Sequence, residues 1–302
     1  MAIVLVTGAS GFLGAAVVER LAARGHRTIG LDPAPSIGVV HRHVRDDLSD
    51  RKRLETLLRD EKISHVLHCG GVSGPMVMCD DPARVMDINV AGSLDLLQAS
   101  LASGVKTFVY CLSVSAVGNF YEDKPIDDDH PLRPASAYGS SKAAVDMVLH
   151  GLWGRVPLDL CSLRFTSIYG SARRARFVVD DIVAAALTGE AARVDLATDW
   201  PYIYIDDAAD AAVAACFSTS RRQLYYFIAY PEQITLEELA RAAGKSAGRP
   251  AQLNITSNTS RAMRGPLDIA PAQRDFGFAP RIDHREGIRR MVEGRARSAG
   301  VT

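Results

Sequence analysis

The sequence predicts an α/β fold, a doubly wound parallel sheet with a smaller C-terminal cap, and three observations predict it. Short apolar runs rich in β-branched residues alternate with segments of helical period over roughly residues 1 to 165. A glycine-rich stretch, Thr7-Gly8-Ala9-Ser10-Gly11-Phe12-Leu13-Gly14, stands between the first apolar run and the first helical segment. The chain has 302 residues, 47% hydrophobic and 23% charged, which is enough to bury a sizeable core without disulfides.

The first strand is Ile3 to Val6 and the first helix runs from about Phe12 to Arg24. Leu13, Val17 and Leu21 form one apolar stripe along that helix, and Gly25 stands where a helix C′ residue belongs. Thr28 to Leu31, Val39 to Val44, His65 to His68, Phe108 to Leu112 and Leu158 to Phe165 are the further strands. Leu54, Leu57 and Leu58 mark an intervening helix; Asp81-Pro82 opens another as N-cap and first residue, running to about Ser103. Beyond Tyr169-Gly170 the alternation loosens: a helix near Phe177 to Leu187, a strand at Tyr202 to Ile205, a helix at Asp207 to Phe217, a strand at Leu224 to Ile228, and helices near Leu236 and Ile288.

Lys+Arg and Asp+Glu both number 35, a formal charge of +0, so the basic footprint of a nucleic-acid or anionic-membrane binder is missing and a small-molecule partner is expected. The five cysteines, Cys69, Cys79, Cys111, Cys161 and Cys216, contain no C-x-x-C and mostly sit in apolar runs; they predict reduced thiols, and no metal site is expected. The chain opens Met1-Ala2-Ile3-Val4-Leu5-Val6 without a basic leader, and no apolar stretch approaches a spanning helix, so a cytoplasmic, membrane-free protein is expected.

A glycine-rich turn between strand and helix lets backbone N–H groups and the helix N-terminus meet a pyrophosphate. Such glycines also make a tight turn under a closely packed helix, but here the flanking strand and helix point to a dinucleotide, with Gly8, Ser10, Gly11, Phe12, Leu13 and Gly14 as its contacts. The second strand ends at Asp32, eighteen residues past Gly14, where a carboxylate accepts hydrogen bonds from an adenosine ribose and repels a 2′-phosphate. No Arg or Lys follows before Arg42, which favours NAD over NADP; Asp32-Pro33 starting a turn is the other role. Residues 1–169 are therefore expected to be a dinucleotide-binding domain, and 170–302 mainly a substrate-binding one with some segments returning to the main sheet.

Tyr138 and Lys142 lie four residues apart, on one face if their segment is helical. A phenol is a poor base at neutral pH, but a neighbouring ammonium and a positive nicotinamide ring stabilise its phenolate, so that Tyr138 exchanges a proton with a carbinol while hydride moves at the same carbon. With these motifs in order, the chain resembles an extended short-chain dehydrogenase/reductase of the NAD-dependent epimerase/dehydratase family, with a Rossmann domain, over nearly its whole length. Thr7 to Gly14 carries the resemblance, as do Asp47-Leu48, His68-Cys69-Gly70-Gly71, Asn89-Val90-Ala91-Gly92, Ser113 to Gly118, Leu163 to Gly170, Ile203 to Asp207 and Leu267 to Pro280. It implies that Ser113 hydrogen-bonds the substrate hydroxyl, that Tyr138 is the acid/base, and that Lys142 lowers its pKa and holds the nicotinamide ribose. It adds Asp47, Leu48, Cys69, Gly70, Gly71, Asn89 and Phe165 to the cofactor contacts, and it implies a homodimer through two long helices, about Pro82 to Ser103 and Ala137 to His150.

Departures from the family's patterns narrow the reaction. Members that eliminate water or decarboxylate need extra acids beside the catalytic hydroxyl, and those places are Val114 and Ser115. The 3,5-epimerase-reductases carry a cysteine after the serine, whereas Cys111 precedes Ser113. Nucleotide-sugar 4-epimerases carry an Asn at Ser167 and an Arg–Asp pair at Trp200-Pro201, with the Arg on the diphosphate. Arg264 resembles a retained phosphate ligand, and Arg174 within Arg173 to Arg176 supplies a cation, although a solvated basic loop is an equal reading. Ser73 is a further polar contact or a turn residue. The expectation is an NAD-dependent oxidoreductase acting on a secondary alcohol of a sugar, leaning toward a free sugar, sugar acid or polyol oxidised with net NADH release. A UDP-sugar 4-epimerase that retains its NAD, and a catalytically silent NAD-binding regulator, are the alternatives.

Overall fold

A computed structural model describes residues 1–36, 40–118, 126–127, 130–173, 177–194, 201–256 and 266–298. The first half runs β1 (Ile3–Thr7), α1 (Phe12–Ala23), β2 (Arg27–Leu31), β3 (Arg42–Val44), α2 (Arg51–Asp60), β4 (His65–His68), α3 (Pro82–Met86), α4 (Gly92–Ala102), β5 (Thr107–Ser113) and α5 (Ala137–Leu152). The second runs β6 (Asp159–Phe165), β7 (Ser167–Tyr169), α6 (Val178–Thr188), β8 (Ala192–Val194), β9 (Tyr202–Tyr204), α7 (Ile205–Phe217), β10 (Tyr225–Ile228), α8 (Leu236–Ala247), β11 (Leu253–Ile255), α9 (Ala270–Phe276) and α10 (His284–Ser298).

Seven strands form one parallel sheet in the order β10-β6-β5-β4-β1-β2-β3, a doubly wound Rossmann-like arrangement. Its strands are apolar on both faces because both faces are covered. Val4, Val6, Leu67, Val109 and Leu163 pack with Val17 and Leu21 of α1 and Ala208, Ala211 and Ala212 of α7. Leu5, Ile29, Val66, Phe108 and Leu160 pack on the other side with Leu54 and Leu58 of α2, Leu96 and Leu97 of α4, and Val145 and Leu149 of α5. A third cluster joins α6, α8 and α10 around Tyr169, Ile182, Leu239 and Met291. Two small parallel pairs, β7 with β9 and β8 with β11, accompany it.

β10 pairs with β6, and α7 covers the same face as α1. One expectation needs correction: the third strand begins at Arg42 rather than Val39, and residue 39 lies outside the described residues. The helix expected from Pro82 to Ser103 runs on helical backbone from Pro82 to Ala102, widened to a π turn at Asp87–Ala91, which turns Asn89 inward to a backbone it must reach. Asp81 does cap its first turn, accepting from Arg84 N, with Pro82 following. Among the described residues no helix is long and apolar enough to cross a membrane.

Candidate active site

The glycine turn is built by close backbone approach. Gly8 takes φ +66 and donates to Leu31 O, and Gly11 donates to Gly8 O, each at 2.9 Å. A Cβ on Gly14 would lie 2.0 Å from Gly8 O, and one on Gly8 would lie 2.7 Å from Gly70 Cα, so both positions require glycine. Gly11 is the N-cap of α1 and supplies no side-chain cap, which leaves the helix start open to an anion. Ser10, Phe12 and Leu13 complete this turn. Asp32 stands at its side, Oδ2 accepting from Ser10 N (3.1 Å) and Oδ1 from Ala34 N (2.8 Å), so the carboxylate both starts a turn and faces the cradle.

A second turn, Cys69-Gly70-Gly71, is held beneath the first by a buried relay. Gly70 N–H donates to Thr7 Oγ1 (3.1 Å), which lies 2.6 Å from His68 Nδ1; His68 Nε2 lies 2.7 Å from Ser93 Oγ, and Ser93 Oγ donates to Asn89 O (2.5 Å). One proton assignment satisfies this chain, with neutral His68 accepting at Nδ1 and donating from Nε2. Burial, helped by the Lys142 charge, lowers the His68 pKa to about 3 and keeps the ring neutral. Asn89 is buried and engaged on both sides, Oδ1 accepting from Val72 N (2.7 Å) while Nδ2 donates to Val72 O (3.2 Å) and Ser141 Oγ (2.9 Å). Its side chain thus braces the turn against α5. A Cβ on Gly92 would lie 3.0 Å from Leu48 Cβ, and Asp47 accepts from Ser49 N (2.9 Å) and Ser49 Oγ (2.5 Å), bonds that lower its pKa.

Ser113 ends β5 and Phe165 ends β6, paired in register. The Phe165 ring is only 3% exposed and lies in the core, so any contact it offers a cofactor is through its backbone. Ser113 Oγ accepts from Ser115 N at 3.1 Å, capping a 3₁₀ turn at Val114–Ala116. α5 is capped by Ser136, whose Oγ accepts from Gly139 N (3.0 Å), and it approaches that turn so closely that a Cβ on Gly139 would lie 2.4 Å from Ser115 O. This approach brings Tyr138 to Ser113. Burial raises the Tyr138 pKa, opposed by a hydrogen bond from Ser113 and then by the charge of Arg173. Lys142 donates from Nζ to Cys111 O (3.2 Å) and lies 4.7 Å over the Tyr110 ring; burial lowers its pKa to about 8. Arg173 adds a further positive charge that favours the Tyr138 phenolate.

Ser73 is exposed beside Gly74, and Ser167 is half-buried at the start of β7. Arg174, Arg264 and Trp200 lie outside the described residues. Cys69 Sγ lies 3.4 Å from Cys111 Sγ, both free thiols. No group of three His, Cys, Asp or Glu among the described residues could hold a metal ion.

A parallel sheet with an open glycine cradle at the end of β1, and Ser, Tyr and Lys at the ends of β5 and α5, defines a dinucleotide-dependent enzyme of alcohol and ketone chemistry. The chain belongs to the NAD dependent epimerase/dehydratase family, whose model matches residues 4–224, and NAD is its cofactor. The chain is similar to a UDP-glucose 4-epimerase of Mycolicibacterium smegmatis, 28% identical over 96% of this chain and 97% of that protein. It is similar to UDP-glucuronate 4-epimerase 1 of Arabidopsis thaliana, 26% identical over 96% of this chain and 75% of that protein. The solved UDP-glucose 4-epimerase of Thermus thermophilus, in complex with NAD, superposes with a TM-score of 0.85 at 28% identity, covering 97% of this chain and 98% of its own.

Proposed function

We propose that the chain oxidises a secondary alcohol of a sugar, and that it does so within the 4-epimerisation of a UDP-linked sugar. The observation that carries the first half is the meeting of Ser113 and Tyr138 at the end of β5, one helical turn from Lys142 and at the same end of the parallel sheet as the Gly8–Gly14 cradle. Bound NAD supplies the hydride acceptor. Ser113 holds the substrate hydroxyl, Tyr138 takes its proton, and Lys142 keeps a positive charge beneath the cofactor ribose. Gly8, Gly11 and Gly14 let the pyrophosphate approach the α1 N-terminus, Asp32 accepts from the adenosine ribose, and Cys69 to Gly71 form the floor. Residues 1–169 with the returned α7 and β10 serve the dinucleotide, and the rest of 170–302 the sugar.

The second half is supported by relatives that span the whole chain and are named as UDP-sugar 4-epimerases. A second reading, oxidation of a free sugar or sugar acid with NADH release, is favoured by Ser167 and Trp200-Pro201, which lack the amide and the guanidinium of nucleotide-sugar epimerases. Each lost hydrogen bond is worth about 1–3 kcal/mol. Free thiols suit a reducing cytoplasm, and exposed apolar residues on α3 and α5 suit a homodimer. The deciding experiment incubates the enzyme and NAD with UDP-glucose, UDP-glucuronate, D-glucuronate and D-gluconate, following NADH absorbance and the sugar by NMR. The epimerase reading expects an epimerised UDP-sugar without net NADH; NADH formed stoichiometrically with a free acid promotes the second, and silence with every sugar overturns both.

A further inference from the structure

Two thiols meet where β4 gives way to the Cys69-Gly70-Gly71 turn. β4 and β5 are parallel neighbours with His68 opposite Tyr110, so Cys69 and Cys111 follow as the next pair in register. Adjacent strands lie about 4.8 Å apart, within the Cα separation that a disulfide spans. The two sulfurs are 3.4 Å apart and both thiols are free. Cys161 and Cys216, by contrast, are buried in the core, and Cys79 is exposed. The hydrogen bond with Cys69, and then burial, raise the Cys111 thiol well above its ordinary range. Cys111 therefore stays protonated, and half-buried Cys69 is the sulfur that a small oxidant meets first. Each sulfur hangs from backbone that the site uses. Gly70 N–H, next to Cys69, donates to Thr7 Oγ1 (3.1 Å), and Gly70 Cα stands 2.7 Å from the place a Cβ on Gly8 would take. Cys111 O accepts from Lys142 Nζ (3.2 Å).

We propose that Cys69 and Cys111 are a redox modification site, a dithiol that a peroxide oxidises to a disulfide, and that this disulfide weakens NAD binding. In the first step the Cys69 sulfur attacks one oxygen of hydrogen peroxide and the O–O bond breaks; the departing hydroxide takes the Cys69 thiol proton as water, leaving a sulfenic acid. In the second the Cys111 sulfur displaces the sulfenic hydroxyl, which leaves with the Cys111 thiol proton as a second water while the S–S bond forms. Two thiols are oxidised and one peroxide is reduced, by two electrons in all. Closing the bond draws the sulfurs from 3.4 Å to about 2.0 Å. The Cys69–Gly70 backbone has no slack beneath Gly8, and the Cys111 carbonyl holds Lys142, so the shift is passed to the glycine cradle on one side and to the ribose-binding cation on the other. NAD bound above Cys69 covers it and slows the oxidation. The effect on NAD rests on the reading of Cys69 to Gly71 as the cofactor floor; formation of the bond does not.

The test treats the full chain carrying Cys79→Ser, which removes the exposed thiol, with hydrogen peroxide in the absence and presence of saturating NAD. Without NAD, two thiols are expected to disappear together, peptide mapping to show Cys69 joined to Cys111, and NAD affinity by fluorescence titration to fall by about tenfold or more, with dithiothreitol restoring both thiols and affinity. With NAD bound, the linkage is expected to form several-fold more slowly. In Cys111→Ala the oxidation should stop at a sulfenic acid on Cys69, trapped by dimedone, with a smaller loss of NAD affinity. No Cys69–Cys111 linkage overturns the proposal, as does a linked protein whose NAD affinity stays within about twofold of the reduced one, or an equal loss of affinity in Cys111→Ala. The floor reading is tested apart from the bond, by alkylating the reduced protein with iodoacetamide: bound NAD slows the reaction at Cys69 if Cys69 to Gly71 lie under the cofactor, and an unchanged rate refutes that reading whether or not the disulfide forms.

Discussion

Tyr138 is buried, and its hydroxyl has a serine hydroxyl and an arginine charge to favour ionisation against that burial. In the proposed reaction, replacing it with Phe removes the proton carrier but little contact surface. Tyr138→Phe is expected to lower turnover by about 10²–10⁴-fold, with NAD affinity within about twofold by fluorescence titration. His68 makes a pH prediction of definite sign. Its folded pKa of about 3 lies below the ordinary histidine value of 6.5, so between those limits the unfolded chain binds the extra proton. Stability from this group is whole above pH 6.5 and falls as pH drops toward 3, by up to about a few kcal/mol. Melting temperatures from about pH 7 to about pH 4.5 should fall, and His68→Gln, which cannot titrate, should show a flatter dependence; equal slopes overturn the assignment. The Tyr138–Lys142 spacing was readable because it is local and periodic. The direction of Arg173 was not, because a tract of three arginines looks the same whether solvated or folded back on Ile168.

At the scale of elements, α5 bears Tyr138 and Lys142 and is moored one turn below Lys142. Asp146, fully buried, accepts from Ser162 Oγ (2.6 Å) and from Arg164 Nη2 (3.1 Å), and Arg164 lies 4.0 Å over the Tyr225 ring. The moor ties α5 to β6 and to the returned strand β10. Asp146→Ala strands a buried guanidinium and is expected to cost about 3–5 kcal/mol, read as a lower urea midpoint with unchanged slope. The double change Asp146→Leu, Arg164→Met should recover much of that loss; failure to do so would mean the pair does more than neutralise itself. Strand and helix positions up to β6 were readable from apolar runs, caps and the C′ glycine, and Gly25 indeed takes φ +72. The π turn was not, since nothing local at Asp87 to Ala91 announces that Asn89 must meet Val72, seventeen residues earlier in the chain. Three-residue strands such as β8 and β11 were missed because their pairing, not their composition, makes them strands.

Across the whole molecule, the two halves of the chain are laced by charge as well as by the shared sheet. Arg20 of α1 pairs with Asp206 of α7 (2.5 Å), Asp206 with Arg290 of α10 (3.1 Å), and buried Asp207 accepts from Arg281 N and Ile282 N. The exposed pairs are worth about 0–1 kcal/mol each, so their part is to hold α7 and α10 in register against α1. One surface is left without such cover. On α5, Met147 is 66% exposed and Val148 37%, and on neighbouring α3 Met86 is 37% exposed. Large apolar side chains grouped on adjoining helices are the kind of surface an oligomer buries, and in the proposed homodimer the long helix that bears Tyr138 would gain rigidity from the second copy. Sedimentation at about 10 μM is expected to give a dimer, and Met147→Glu with Val148→Asp should shift it to monomer without loss of helical circular dichroism. Because α5 holds Tyr138 and Lys142, the monomer should also turn over more slowly. A wild-type monomer at that concentration, or a charged variant that still dimerises, would place the partner surface elsewhere.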